Sequence, residues 1–253
     1  MLTAALWGLV QGLTEFLPIS SSGHLVLIPA LLDIDEPDLA TSALLHVGTL
    51  AAVIWFYRRD IAELVRQPRS DHSKRIWILL LIGTIPAGLA GLTLDEPLEI
   101  IFGEPWIVAV ALIVTGLILA ASLLLPQGER RLEDGRPGDA LVIGLAQAIA
   151  LVPGISRSGL TITAGLAQGL ERVEAARYAF LLAVPSITGA ALVEGVDLAR
   201  AGGFEWGVLV GVAVAAITGY LSIAFLVRLL ARRGMAPFAI YCVAFGVFSY
   251  IAL

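Results

Sequence analysis

The chain has 253 residues, 58 % of them hydrophobic and 15 % charged, with a formal net charge of -5. A soluble domain normally carries about 25 % charged residues, so the composition disfavours a soluble globule and points to a helical protein that crosses a membrane several times. The single cysteine, Cys242, excludes an internal disulfide and a cysteine metal cluster, and basic residues confined to short loops exclude a nucleic-acid-binding face.

The first element, roughly 2–32, is apolar but interrupted by "QGLTEFLPISSSGH", Gln11 to His24. Met1 is followed directly by apolar residues with no basic stretch, so no cleavable signal peptide is expected. Spans are predicted over roughly 39–57, 76–94 and 106–126. A second broken segment follows over roughly 140–170, interrupted by "PGISRSG", Pro153 to Gly159. Further spans are predicted over roughly 176–195, 206–228 and 235–252. About 30 residues is too short for two crossings of about 20 residues each. The two broken segments are therefore expected to be re-entrant hairpins that enter and leave on the same face.

Charge sets the orientation. Fourteen of the 16 Lys and Arg residues lie at 58–75, 127–139, 172–177 and 228–233. The opposite face carries Arg200 and the acids Asp33, Asp35, Glu36, Asp38, Asp95, Glu96, Glu99 and Glu104. The excess of Lys and Arg places the basic face in the cytoplasm, so the first hairpin opens outward and the second inward.

The two breaks are related. "GLVQGLTEFLPISSSG", Gly8 to Gly23, aligns without a gap to "GLAQAIALVPGISRSG", Gly144 to Gly159, with seven of 16 positions identical. Apolar bias explains the Gly and Leu matches. It does not explain Gln11 with Gln147, or "ISSSG" with "ISRSG". Each copy is followed by three spans, so the chain reads as an inverted-topology repeat, approximately 1–126 and 140–253, within one membrane domain. In that plan, broken helices meet near the midplane and build a polar site.

Irregular backbone at membrane depth survives only where protein or a wet cavity covers it. Helix starts at such breaks present unpaired N–H groups that attract anions. Ser20, Ser22 and Gly23 in one copy, and Ser156, Ser158 and Gly159 in the other, suit a phosphate or diphosphate site. The plainer role of the serines is to cap the helices. Arg157 adds a bidentate cation. Glu15 is the only carboxylate inside either break, and a buried ionisable group in a membrane is costly and usually functional. It suits a metal ligand, a general base, a structural ion pair with Arg157, or ion coupling. Gln11 lies one helical turn before Glu15 and can offer a carbonyl to a metal; Gln147 is its counterpart. His24, three residues after Ser21, can share a helix face with it. It can then take the hydroxyl proton, protonate a leaving oxygen or act as the nucleophile. His46, inside a span, is expected to make an interhelical hydrogen bond or to reach the site. His72 lies in a charged loop and is expected to be solvated.

Together, "QGLTEFLPISSSGH" and "PGISRSGLT" (Pro153 to Thr161) make the chain resemble, over essentially its whole length, the undecaprenyl-diphosphate phosphatase family linked with bacitracin resistance. The resemblance implies an all-α polytopic fold of six transmembrane helices plus two re-entrant helical hairpins. It implies an enzyme of the bacterial inner membrane that removes the terminal phosphate of a C55 isoprenyl diphosphate, a lipid carrier for cell-wall synthesis. The site is expected to open to the periplasm, a divalent cation (Mg2+ or Ca2+) to support activity, and homodimers to occur. By the same resemblance Ser21 is the nucleophile, His24 and Glu15 are catalytic, and Arg157 binds phosphate. Glu15 and Gln11 are the expected metal positions. Where members carry glutamate this chain has Gln11, which leaves one carboxylate for a cation and makes the diphosphate its main ligand. The competing class is a secondary transporter or flippase for an anionic solute or polyprenyl phosphate. It accounts for the repeat but gives Ser21 and His24 nothing to do.

Overall fold

The computed structural model describes residues 1–200 and 206–253, without the side chains at 39–40, 95–96, 99 and 194–200. The predicted charges Asp95, Glu96, Glu99 and Arg200 are outside the described side chains. Twelve α-helices occur among the described residues: α1 Leu2–Phe16, α2 Ser21–Leu32, α3 Leu39–Phe56, α4 Arg58–Arg66, α5 Asp71–Thr93, α6 Asp95–Phe102, α7 Pro105–Ser122, α8 Pro137–Ile149, α9 Arg157–Ala167, α10 Arg172–Arg200, α11 Val208–Arg233 and α12 Ala236–Ala252. A single 3-10 turn covers Leu132–Asp134.

The helix boundaries follow local chemistry. α1 stops before Pro18, which lacks the N–H a continuing helix needs. Ser20 and Ser156 cap α2 and α9 by accepting from Gly23 N and Gly159 N, at 3.2 and 3.1 Å. Asp38 caps α3 and Ser70 caps α5 in the same manner. α8 begins with Pro137 in its first turn, and Asp139 accepts from the Arg136 N–H at 2.9 Å.

Among the described residues four stretches are long and apolar enough to cross a membrane: Asp71–Thr93, Pro105–Ser122, Arg172–Val193 and Val208–Arg233. Ser21–Leu32, Thr41–Phe56, Pro137–Ile149 and Ala236–Ala252 are shorter apolar helices. Large apolar side chains also face outward, among them Leu2, Leu6, Leu9 and Leu13 down one stripe of α1. Such a surface is stable only against hydrocarbon, and the chain is a multi-pass membrane protein. Both expected breaks are real interruptions between helices, α1 to α2 and α8 to α9. The basic stretch 58–75 is largely helical rather than a loop: α4 spans Arg58–Arg66, and α5 already starts at Asp71.

Three of the four basic regions are in contact with one another. Arg177 donates to Asp60 at 2.7 Å, to Glu133 at 2.9 Å and to Glu174 at 3.2 Å. Arg75 donates to the Glu133 carbonyl at 2.8 Å. In the fourth, Gly234 lies beside the Arg172 guanidinium.

The core is a continuous apolar cluster that includes Phe16, Leu27, Tyr57, Leu112, Tyr178 and Phe180. Phe16 meets Phe180 edge-on at 5.5 Å. Helix pairs approach closely through glycine. A Cβ on Gly8 of α1 would lie 2.2 Å from the Gly211 carbonyl oxygen of α11. A Cβ on Gly144 of α8 would lie 2.6 Å from the Gly83 carbonyl oxygen of α5. α7 and α12 cross reciprocally: a Cβ on Gly116 would lie 2.9 Å from the Ala239 carbonyl oxygen, and one on Gly246 2.9 Å from the Ala109 carbonyl oxygen. Small residues allow this backbone proximity, which replaces the hydrophobic drive absent between helices in lipid. Gly8→Val is expected to pry α1 from α11 and destabilise the protein by about 1–3 kcal/mol. A thermal unfolding midpoint in detergent no lower than that of the unchanged protein would contradict this.

Candidate active site

The two breaks meet. Ser158 donates to the Leu17 carbonyl at 3.1 Å, and the space beside Gly23 ends at the Gly154 Cα. Their internal hydrogen bonding is alike: Ser20 Oγ lies 3.2 Å from Ser22 Oγ, and Ser156 Oγ 3.2 Å from Ser158 Oγ. α7 holds the second break, because Thr115 Oγ1 donates to the Gly154 carbonyl at 3.0 Å and accepts from Ser156 N at 3.1 Å.

Glu15 is the centre of the polar cluster and is only 6 % exposed. Ser21 Oγ donates to its Oε2 at 2.6 Å, and Gln11 Nε2 donates to the same oxygen at 2.9 Å. The Arg157 guanidinium donates to Oε1. His46 Nε2 approaches Oε2 to 3.8 Å from α3, while its Nδ1 sits 2.8 Å from the Ser42 carbonyl. Four elements thus converge on one carboxylate, and only this carboxylate is placed to take the Ser21 proton. Ser21 and Arg157 are half-buried, so the cluster stays open to a polar headgroup.

His24 lies elsewhere. Its Nδ1 is 2.8 Å from the Ser20 carbonyl and its Nε2 is 2.7 Å from the Tyr241 hydroxyl. Both nitrogens are engaged, and the expected His24–Ser21 pair on one face does not form. Both residues lie on α2, and their partners on other helices keep them apart: Ser21 is taken by Glu15 of α1 and His24 by Tyr241 of α12. Ser20, the residue that enters α2, adopts φ 67, ψ 101, a left-handed conformation that costs a residue with a Cβ about 1–3 kcal/mol. Gln147 also differs from its counterpart Gln11. It donates to the Gly83 carbonyl at 3.3 Å and accepts from Ser186 at 3.2 Å, tying α8 to α5 and α10. The position matching Glu15 is Leu151, so the second copy has no carboxylate for it to support. His72 is at the surface, 3.9 Å from Glu63.

The donor set fits a protein-held divalent cation poorly. Mg2+ needs six oxygens in near-ideal octahedral array and Ca2+ six to eight. Here the single carboxylate is already paired with Arg157. The buried Gln11 Oε1 is the one site oxygen without a partner among the described residues. No group of three or more His, Cys, Asp or Glu side chains suited to a metal occurs among the described residues.

Thr115, Tyr241 and Cys242 grip the breaks from α7 and α12 and were not legible as site residues. Cys242 Sγ–H donates to the Pro18 carbonyl at 3.5 Å. Each is a polar or sulfur-bearing group in a mostly apolar helix, and that was the only signal available.

Residues 4–248 match the family model described as bacitracin resistance protein BacA. A curated protein of Trichlorobacter lovleyi named undecaprenyl-diphosphatase is 44 % identical, covering 98 % of this chain and 95 % of its own length. One of the same name from Thermomicrobium roseum is 44 % identical, covering 96 % and 95 %. Another, from Methanosphaera stadtmanae, is 39 % identical over 99 % of this chain and 97 % of its own. By its breaks, its full-length match and these relatives, the chain belongs to the bacitracin resistance protein BacA family.

Proposed function

We propose that the chain is an undecaprenyl-diphosphatase, a membrane hydrolase that removes the terminal phosphate of a C55 isoprenyl diphosphate and so regenerates the lipid carrier for cell-wall synthesis. The observation that carries this reading is the Ser21 hydroxyl donating to a buried carboxylate whose other oxygen holds Arg157. A nucleophile, a base and an anion-binding cation share one point between two capped helix starts.

The diphosphate draws Arg157 from Glu15 to its own oxygens, and the N–H groups at the starts of α2 and α9 complete the cradle. Ser21 Oγ attacks the terminal phosphorus while Glu15 Oε2 takes its proton. The bridging P–O bond breaks and the isoprenyl monophosphate leaves. Water then cleaves the phosphoserine, releasing phosphate and restoring the Ser21 hydroxyl. Magnesium or calcium would be held by the substrate more than by this chain, whose one site carboxylate is paired with Arg157. Its chemistry is neutralisation of phosphate charge.

The topology belongs to the same proposal: six spans, two re-entrant hairpins and an inverted repeat of approximately 1–126 and 140–253. Lengths support it. At 1.5 Å per residue α1 and α2 extend about 22 and 18 Å, and α8 and α9 about 20 and 17 Å, all short of a hydrocarbon core of about 30 Å. The matching contacts, α1 on α11 and α8 on α5 through glycine and α7 reciprocally on α12, support the repeat. The basic face in the cytoplasm, the inner membrane as location, periplasmic access and a homodimer complete the reading. Cysteine-accessibility labelling and a mass measurement in detergent test them.

Lipid or anion transport is the second reading, favoured by the repeat. Pure transport uses no nucleophile. Purified protein in detergent, with no gradient, is expected to release phosphate from undecaprenyl diphosphate. Transport into vesicles without any release would decide for the alternative.

A further inference from the structure

The engagement of His24 has a chemical direction. A carbonyl can only accept, so the proton of the His24 ring is on Nδ1, donated to Ser20. In the neutral ring Nε2 is then an acceptor, and the hydrogen bond at 2.7 Å is donated by the Tyr241 hydroxyl. The three rings of this region are stacked. His24 lies 5.7 Å from Tyr241 with the planes 5° apart, and 5.1 Å from Phe245 with the planes 24° apart. His24 is 3 % exposed.

What His24 holds is the residue before the nucleophile. Ser20 is one of two non-glycine residues with positive φ among those described. Such a conformation persists only where its surroundings over-determine it. Here the Ser20 carbonyl is held by His24 Nδ1, its hydroxyl by Gly23 N, and the neighbouring Pro18 carbonyl by Cys242. Tyr241 and Cys242 are adjacent on α12, so that helix grips the break on both sides of Ser20.

We propose that Tyr241 is a positioning residue: by donating to His24 Nε2 it holds the imidazole ring in place against the Ser20 carbonyl, and so holds Ser21 Oγ on Glu15. The proposal rests on Ser21 acting as the nucleophile of a phosphatase. It makes His24 a clamp on the nucleophile's turn and gives α12, apolar by sequence, a part in the chemistry.

Tyr241→Phe removes the hydroxyl and keeps the ring stack. Loosened aim lowers the rate of the chemical step rather than substrate binding. The kcat for phosphate release from undecaprenyl diphosphate is expected to fall about 10- to 100-fold, with KM within about twofold. Nitrogen-15 spectra of histidine-labelled protein in detergent are expected to keep the His24 Nδ1–H form, which the Ser20 carbonyl sets, and to show the Nε2 signal shift as its donor is lost. In a His24→Asn background, where no Nε2 exists, adding Tyr241→Phe is expected to cost nothing further. An unchanged kcat in Tyr241→Phe, an unchanged His24 Nε2 signal, or an equal loss in the His24→Asn background would each overturn the proposal. An inactive unchanged protein would overturn the phosphatase reading and this proposal together. An active one with an unaffected Tyr241→Phe variant overturns this proposal alone.

Discussion

Ser21→Ala is expected to lower phosphate release from a C55 isoprenyl diphosphate by on the order of 10³-fold or more while the protein stays folded. Among the described residues the Ser21 side chain makes one hydrogen bond, donated to Glu15 Oε2 at 2.6 Å. Removing it leaves Glu15 with Gln11 and Arg157 as partners, so no buried charge is orphaned. The helix start also survives, because the cap of α2 is Ser20 and not Ser21. Activity and stability therefore separate at this position. Steady-state release and a detergent unfolding midpoint, measured on one preparation, check both halves. Turnover near that of the unchanged protein would remove Ser21 as nucleophile. The sequence spacing would then suggest His24, but its ring nitrogens are committed to Ser20 and Tyr241.

Arg157→Ala is expected to damage both properties. The guanidinium pairs with a carboxylate that is 6 % exposed, and breaking a buried pair from one side costs about 3–5 kcal/mol because the remaining charge is uncompensated. The same change removes the cation that receives the diphosphate, for an expected loss of about 10²- to 10³-fold in release. Arg157→Lys keeps the charge but loses the planar fork, and is expected to recover stability better than activity. The informative variant is double. Glu15→Gln with Arg157→Gln removes both charges and is expected to recover much of the lost stability with no recovery of activity. If the double variant unfolds as readily as Arg157→Ala, the pair is not what holds the two breaks together.

Much of the architecture was legible because hydrocarbon leaves few options. A backbone in lipid must satisfy its own hydrogen bonds, so apolar stretches near 20 residues could only be helices. Proline, glycine and clustered serines marked the two breaks, although Pro86 and Pro185 are carried inside the continuous helices α5 and α10. The ungapped match of Gly8–Gly23 with Gly144–Gly159 then identified both breaks as one device used twice. The helix α4 escaped because its residues are polar and basic, a pattern that suits a solvated loop equally well. The site was legible as a set of residues: Glu15, Ser21, His24 and Arg157 stand out chemically from their apolar surroundings.

Their pairing was legible only in part: an ion pair of Glu15 with Arg157 was one of the alternatives, and the Ser21–Glu15 hydrogen bond was not. Spacing on a helix made Ser21 and His24 neighbours, and at that level histidine was the natural partner for the hydroxyl. Partners on other helices override the spacing: Glu15 of α1 takes the Ser21 hydroxyl and Tyr241 of α12 engages His24, while Ser20 enters the helix with a positive φ that no local preference of serine predicts. The shared carboxylate, with Ser21 and Gln11 on one oxygen and Arg157 on the other, joins residues 142 positions apart in sequence. The support of His24 comes from Tyr241, 217 positions away. Sequence by itself determined which groups are present, that they lie in breaks, and that the breaks are buried in a membrane protein, because composition and solvent fix those. Only the tertiary structure decided which group faces which, because hydrogen bonds are set by distances of a few ångströms between helices that share no local sequence.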